Sequence, residues 1–219
     1  MAPGPAEKPT PSGEENRRKA MAGVQAIFDR YKLVKAGAGP SFDNATMRDC
    51  VVLDASVGPP HDGDVPRAGG RPTPDAGIRA SCTTRLFIGA ELGNYNGVMH
   101  GGAAGVIFDM LTTIALGSVA RPGFWTFLGG VTRTLNISYL KAVPVGTTVI
   151  VHAYVYQVGR QTAYIKGWMT SEDGRTTYAV CDHHKIHVPT PAEHLKLKVP
   201  WDEQWDNEGK EKGKPASKL

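Results

Sequence analysis

His100-Gly101-Gly102 stands directly before the most apolar stretch of the chain, Ala103-Ala-Gly-Val-Ile-Phe-Asp109-Met-Leu-Thr-Thr-Ile-Ala-Leu116. Two glycines at a helix start let the backbone approach a ligand closely and leave N–H groups pointing outward. With the positive end of a helix dipole behind them, those N–H groups could stabilise the oxyanion formed when a carbonyl is attacked. His100 adds a polar group at the same place. Taken alone, the three residues also suit a plain Gly-rich turn with a structural histidine.

Asp109 is the second candidate. It lies between Phe108 and Met110, inside a stretch apolar nearly all round, and is expected to be buried. A buried, unpaired carboxylate is costly, and Asp is a poor helix former. An acid kept there is either paired structurally or used as a base or nucleophile. Nine positions separate it from His100. That is about 2.5 turns, or roughly 13–14 Å along a helix. The two side chains leave opposite faces, so one chain can hardly place both on one carbonyl. If both act in one reaction, a second subunit must supply one of them, as in a two-fold dimer with two equivalent sites.

The elements that must position these groups read as α+β. Residues 1–16 are rich in Pro, Gly and charge and are expected to be disordered. From about Arg17 to Lys35, Met21, Val24, Ile27, Phe28 and Tyr31 recur at helical spacing. A strand is expected at Met47–Ala55, a long surface loop over 57–78, and a second strand from about Ile78 to Leu92. After the apolar helix come four strand-like runs, at 126–139, 147–158, 161–171 and 176–188, read as an antiparallel meander. Pro144-Val-Gly146, Gly159-Arg160 and Glu172-Asp-Gly174 mark its turns. His183 and His184, adjacent on a strand, point to opposite faces, which does not favour joint metal ligation. The tail from Pro189 is rich in Lys and Glu, with Trp201 and Trp205 as candidate docking anchors.

The stretch from about Arg79 to His187 resembles the hotdog-fold thioesterases of the PaaI-like and thioesterase-superfamily-member group. It carries that group's pattern of an Asn six residues before His-Gly-Gly and an Asp nine residues after the His, as Asn94, His100-Gly101-Gly102 and Asp109. Asn136-Ile-Ser-Tyr139, the Pro144/Gly146 turn, Gly159-Arg160 and His183-His-Lys185 continue it. The resemblance implies a hotdog fold over 17–188, a long central helix wrapped by an antiparallel sheet, here with an added N-terminal helix. It implies hydrolysis of an acyl-CoA thioester, with Asp109 as general base or nucleophile and the Gly101 N–H donating to the oxyanion. His100 would orient the thioester, Asn94 the carbonyl or the water, and Thr132 the water. For the CoA arm it implies Tyr139 and Lys141, with Gly159 and Arg160. Leu140-Lys-Ala-Val-Pro144 departs from the group's usual sequence there, which leaves the nucleotide contacts open. Release of a polyketide or other secondary-metabolite acyl group from a carrier is a variant of this reading. The fold also serves dehydratases, hydratases and non-catalytic acyl-CoA-binding modules.

Composition narrows the remaining classes. Hydrophobic residues make up 41% and charged ones 21%, as in a globular domain. The net charge of +4 gathers near the ends, and no basic stripe interleaved with aromatics suggests nucleic acid. The absence of a G-x-S-x-G elbow argues against an α/β-hydrolase thioesterase, and with no P-loop or dinucleotide fingerprint no cofactor is expected. Cys50, Cys82 and Cys181 lack metal spacing and read as buried free thiols in a reducing compartment. No apolar run is judged long enough for a membrane span, and no signal peptide is evident. The chain closes on Ser217-Lys218-Leu219. At a free C-terminus that is a peroxisomal address, so a peroxisomal import receptor is an expected partner, beside acyl-CoA and a homodimer or dimer of dimers.

Overall fold

The apolar stretch after His100 folds as α3 (Gly101–Thr113) and continues as a 3-10 helix over Ile114–Val119. By length and composition Gly101–Val119 could cross a membrane, against the sequence expectation. Here it is the core helix. Ile107, Phe108, Leu111, Ile114 and Leu116 are all but fully buried beneath the sheet. Gly167 on the sheet allows the close approach, since a Cβ there would lie 2.9 Å from Thr112 Cγ2 and 3.0 Å from Phe108.

The computed structural model describes residues 13–36, 39, 41, 43–58, 77–126 and 129–205. Most of the 57–78 loop, the leader before Gly13 and the closing Ser217-Lys218-Leu219 lie outside them. The N-terminal helix α1 (Gly13–Lys35) begins four residues earlier than expected, inside the stretch read as disordered. A short helix α2 (Asn44–Asp49) takes Met47, which had been assigned to a strand. Six strands follow as expected in number: β1 (Val51–Val57), β2 (Ala80–Phe87), β3 (Val131–Tyr139), β4 (Thr148–Val158), β5 (Thr162–Ser171) and β6 (Thr177–Ile186).

Their order corrects the meander. The antiparallel sheet runs β1-β2-β4-β5-β6-β3, so β3 leaves its sequence neighbour β4 and pairs with β6 at the far edge. Pro144-Val-Gly146 therefore belongs to a crossing connection, where Pro144 bridges Val98. Local hydrophobic pattern fixes which residues form strands but carries no information on such long-range order.

The two edges of the sheet differ. Along β1, Asn16 of α1 occupies the edge: its Nδ2 donates to Val57 O at 3.1 Å, and Val57 N–H donates to its Oδ1 at 3.1 Å. At the other edge, β3 is exposed along most of its length. Elsewhere α1 packs on the 3-10 segment so closely that a Cβ on Gly23 would sit 2.1 Å from Gly117 O. The C-terminal segment 200–205 docks on α1. Trp201 is 5% exposed, with Arg30 over its ring at 5.0 Å, and Arg30 meets Asp202 at 2.6 Å. Trp201 thus anchors as the sequence suggested.

Candidate active site

His100 is the N-cap of α3, extended at φ −67 and ψ 139. Its Nδ1 accepts the Gly102 N–H at 2.9 Å, which satisfies one of the helix's first free donors. That bond requires the neutral tautomer with its proton on Nε2, so the exposed imidazole presents a donor outward. The Gly101 N–H receives no acceptor among the described residues. Asn94 sits in the tight turn just before, where Gly93 bridges Met99 and the Asn94 Oδ1 accepts the Asn96 N–H at 2.9 Å. The Tyr139 hydroxyl donates to Gly101 O at 2.8 Å and ties the end of β3 to the helix start. These residues form one cluster. His100 and Gly102 line a cavity of about 720 Å³ with Asn44, Arg48 and Val106.

Asp109 belongs to a second cluster. Contrary to the sequence expectation it is not buried: its side chain is 42% exposed and lines a separate cavity of about 430 Å³ with Ile27, Tyr31 and Val34 of α1. One flank of α3 faces that cavity, Gly102 and Val106 face the first, and Ile107, Phe108 and Leu111 are buried in the core. The Thr132 hydroxyl donates to Asp109 Oδ1 at 2.6 Å and also lies 2.9 Å from His183 Nε2. On the ring's other side, Thr112 Oγ1 is 2.6 Å from His183 Nδ1 and donates to Phe108 O. Lys185 Nζ completes the group, 3.9 Å from Asp109 Oδ1.

Sequence reasoning assigned no role to Thr112, His183 or Lys185. The signal was the alternation of β6: Cys181, His183 and Lys185 are buried and face α3, while His184 is exposed on the other face, stacked on Tyr164. Burial holds the His183 imidazole down to about 4, and the Lys185 ammonium adds to that while the Asp109 charge opposes it. Burial likewise lowers Lys185 to about 8, against the pull of Asp109. Neutral His183 leaves the Thr132 proton facing two acceptors, Asp109 and Nε2. Thr132 can therefore pass its hydrogen bond between them.

The remaining candidates divide between the same two ends. Tyr139 pairs in register with Ala179, and Lys141 is exposed just beyond it. Gly159 and the exposed Arg160 turn beside the opposite end of the sheet, where the His187 N–H donates to Gln161 O. Trp125 holds that turn, its Nε1 donating to Gly159 O at 2.7 Å. Within one chain the structure brings together Asn94, His100, Gly101 and Tyr139, and separately Asp109 and Thr132. The two cavities share no lining residue. The thiols Cys82 and Cys181 are buried and Cys50 half-buried, all unpaired, and burial raises Cys50 and Cys181 to about 12.

Residues 96–178 match the family model of the thioesterase superfamily. Thioesterase superfamily member 2 of zebrafish has a similar structure, with a TM-score of 0.53, 19% identity, and coverage of 75% of this chain and 98% of that one. The PaaI protein of the Escherichia coli phenylacetic acid degradation operon is similar at a TM-score of 0.51 and 15% identity, covering 78% and 96%. Mouse thioesterase superfamily member 2 gives 0.50 and 16%, covering 74% and 96%. Among curated proteins no sequence matches the chain. The chain thus has the hotdog fold, and its residues 96–178 are similar to the thioesterase superfamily.

Proposed function

We propose that the protein hydrolyses an acyl-CoA thioester to free acid and CoA, at two equivalent sites shared between two copies of the chain. One observation carries this reading. The two clusters are tied to opposite ends of the open edge strand, Thr132 to Asp109 and Tyr139 to Gly101. Seven residues at about 3.3 Å each put those ends roughly 23 Å apart. Antiparallel pairing of β3 with its two-fold copy would set the Thr132 end of one strand against the Tyr139 end of the other. It would also bring Lys141 and Arg160 of different copies to the same region, where their cations suit CoA phosphates.

In such a site Asp109 takes a proton from water as it attacks the thioester carbon, or attacks that carbon directly. The Gly101 N–H and the outward His100 Nε2–H donate to the oxygen as it gains charge. Asn94 holds the carbonyl or the water, and Thr132 orients the water against Asp109. Collapse of the tetrahedral intermediate expels the CoA thiolate, which on the general-base route takes up the proton held by Asp109. On the direct route it leaves an Asp109–acyl anhydride that water then hydrolyses to free acid, its protons going to the thiolate and the carboxylates.

The test is free-thiol release from a panel of acyl-CoAs, with Asp109→Asn beside the wild type. Hydrolysis of at least one thioester, lost in the variant by about 10²–10⁴-fold, is expected for removal of a general base. No hydrolysis of any thioester, or an unaffected variant, would overturn the reading. For location, Ser217-Lys218-Leu219 at a free C-terminus supports import into peroxisomes, which handle acyl-CoA esters. Deleting Leu219 from a fluorescent fusion should turn punctate signal diffuse.

A further inference from the structure

All three contacts of the Asp109 carboxylate fall on one oxygen. Thr132 Oγ1 at 2.6 Å, His183 Nε2 at 3.5 Å and Lys185 Nζ at 3.9 Å converge on Oδ1. Oδ2 accepts no hydrogen bond among the described residues, and Asp109 lines the cavity beside α1. Lys185 is the unusual member of the three. It is 3% exposed, yet among the described residues its ammonium, with three protons to donate, finds only Thr132 Oγ1 at 3.4 Å and Asp109 Oδ1 at 3.9 Å. A buried cation so loosely paired costs stability, and an apolar side chain of similar length would serve the fold better. Its neighbours in register, Thr132 on β3 and Ala163 on β5, offer no countercharge.

We infer that Lys185 is a positioning residue for the proposed hydrolysis: its ammonium anchors Thr132 and Asp109 Oδ1 from beneath, so that Oδ2 faces the reacting water. This inference rests on the thioesterase reading above. The arrangement holds only while Lys185 is charged, because a neutral amine has little attraction for the carboxylate. Burial has brought that transition down to about 8, within reach of ordinary assay conditions. The charged and titratable groups around it are Asp109 from α3 and His183 from β6 itself, with Tyr31 and Lys35 of α1 and Asp43 beside α2 lining the same cavity. Lys35 is already engaged 3.7 Å from Asp43, and buried His183 is neutral above about 4. Lys185 is therefore the group here whose charge changes near pH 8.

The experiment is a pH–rate profile on the full chain with whichever acyl-CoA it hydrolyses. The wild type should lose kcat above about pH 8. Lys185→Met should cut kcat at pH 7 by about ten- to a hundredfold, as for a misaligned catalytic group, with little change in KM and no alkaline fall near pH 8. Lys185→Arg should recover much of kcat and keep it past pH 10, since a guanidinium stays charged. A Met variant with wild-type kcat, or one that keeps the fall near pH 8, overturns the inference while leaving the hydrolysis reading intact. A wild type that hydrolyses nothing overturns the hydrolysis reading instead. The ion pairing is then read without turnover, from the NMR titration of the Lys185 Nζ in the wild type and in Asp109→Asn. Its midpoint should be near 8 and fall in the variant, and an unmoved midpoint sinks the pairing.

Discussion

Thr132 and Asp109 are joined by a 2.6 Å hydrogen bond that links the open edge of the sheet to the middle of the core helix. The bond fixes the rotamer of a carboxylate that is otherwise 42% exposed. Removing the hydroxyl frees that carboxylate to turn into the cavity. Thr132→Val should lower kcat by about ten- to a hundredfold, the scale of a small misplacement of reacting groups. Thr132→Ser should keep most of it. Equal rates for Val and wild type would make Thr132 an ordinary strand threonine.

Shared sites make a stoichiometric prediction. His100→Ala and Asp109→Asn each disable one half of both sites in a two-fold pair. Mixed after subunit exchange, they leave one site of the hybrid with both halves intact. Random mixing should thus restore about a quarter of wild-type activity. No recovery, with exchange demonstrated by differently tagged copies, would place both halves of a site in one chain.

His183 ties the site to stability through pH. Its ordinary value is 6.5, and in the fold burial holds it at about 4. The unfolded chain therefore binds a proton that the folded chain refuses between those values. Stability should be level above about 6.5 and decline as pH falls from there to about 4, by roughly 3 kcal/mol in all. Urea unfolding at pH 7 and pH 4.5 should show a larger loss in wild type than in His183→Gln. A parallel loss in both would mean that His183 is not the group responsible.

Gly23 fixes the seat of α1. A methyl added there would lie 2.1 Å from Gly117 O, a backbone atom that cannot swing away. Gly23→Ala should cost about 1–3 kcal/mol in urea unfolding, as for other overpacked contacts. Because Ile27 and Tyr31 of the same helix wall the Asp109 cavity, KM should rise with it. An unchanged unfolding midpoint would show that the helix shifts freely.

Much of this is legible in the sequence, for identifiable reasons. His100-Gly101-Gly102 announces a helix start because capping and glycine act within a few residues, and the structure makes His100 the cap. The half-turn offset of His100 and Asp109 follows from helix geometry alone, and the two do line separate cavities. The burial of Asp109 was misread because an all-apolar helix does not reveal that one flank meets a cavity instead of a strand. The position of β3 was missed because strand order depends on contacts distant in sequence. His183 and Lys185 carry no assigned role in the sequence for a related reason. Their alternation marks one face of β6, but only the packed α3 shows that this face is the inner one.

The two unlike edges of the sheet bear on how many chains can assemble. A strand edge left bare on both sides invites endless addition, copy after copy, into a fibre. Here Asn16 caps the Val57 end of one margin with its own amide, mimicking a residue of the strand that would otherwise extend it. Pairing through β3, as proposed, would use the exposed margin, and a third chain would meet an edge whose Val57 end is already taken.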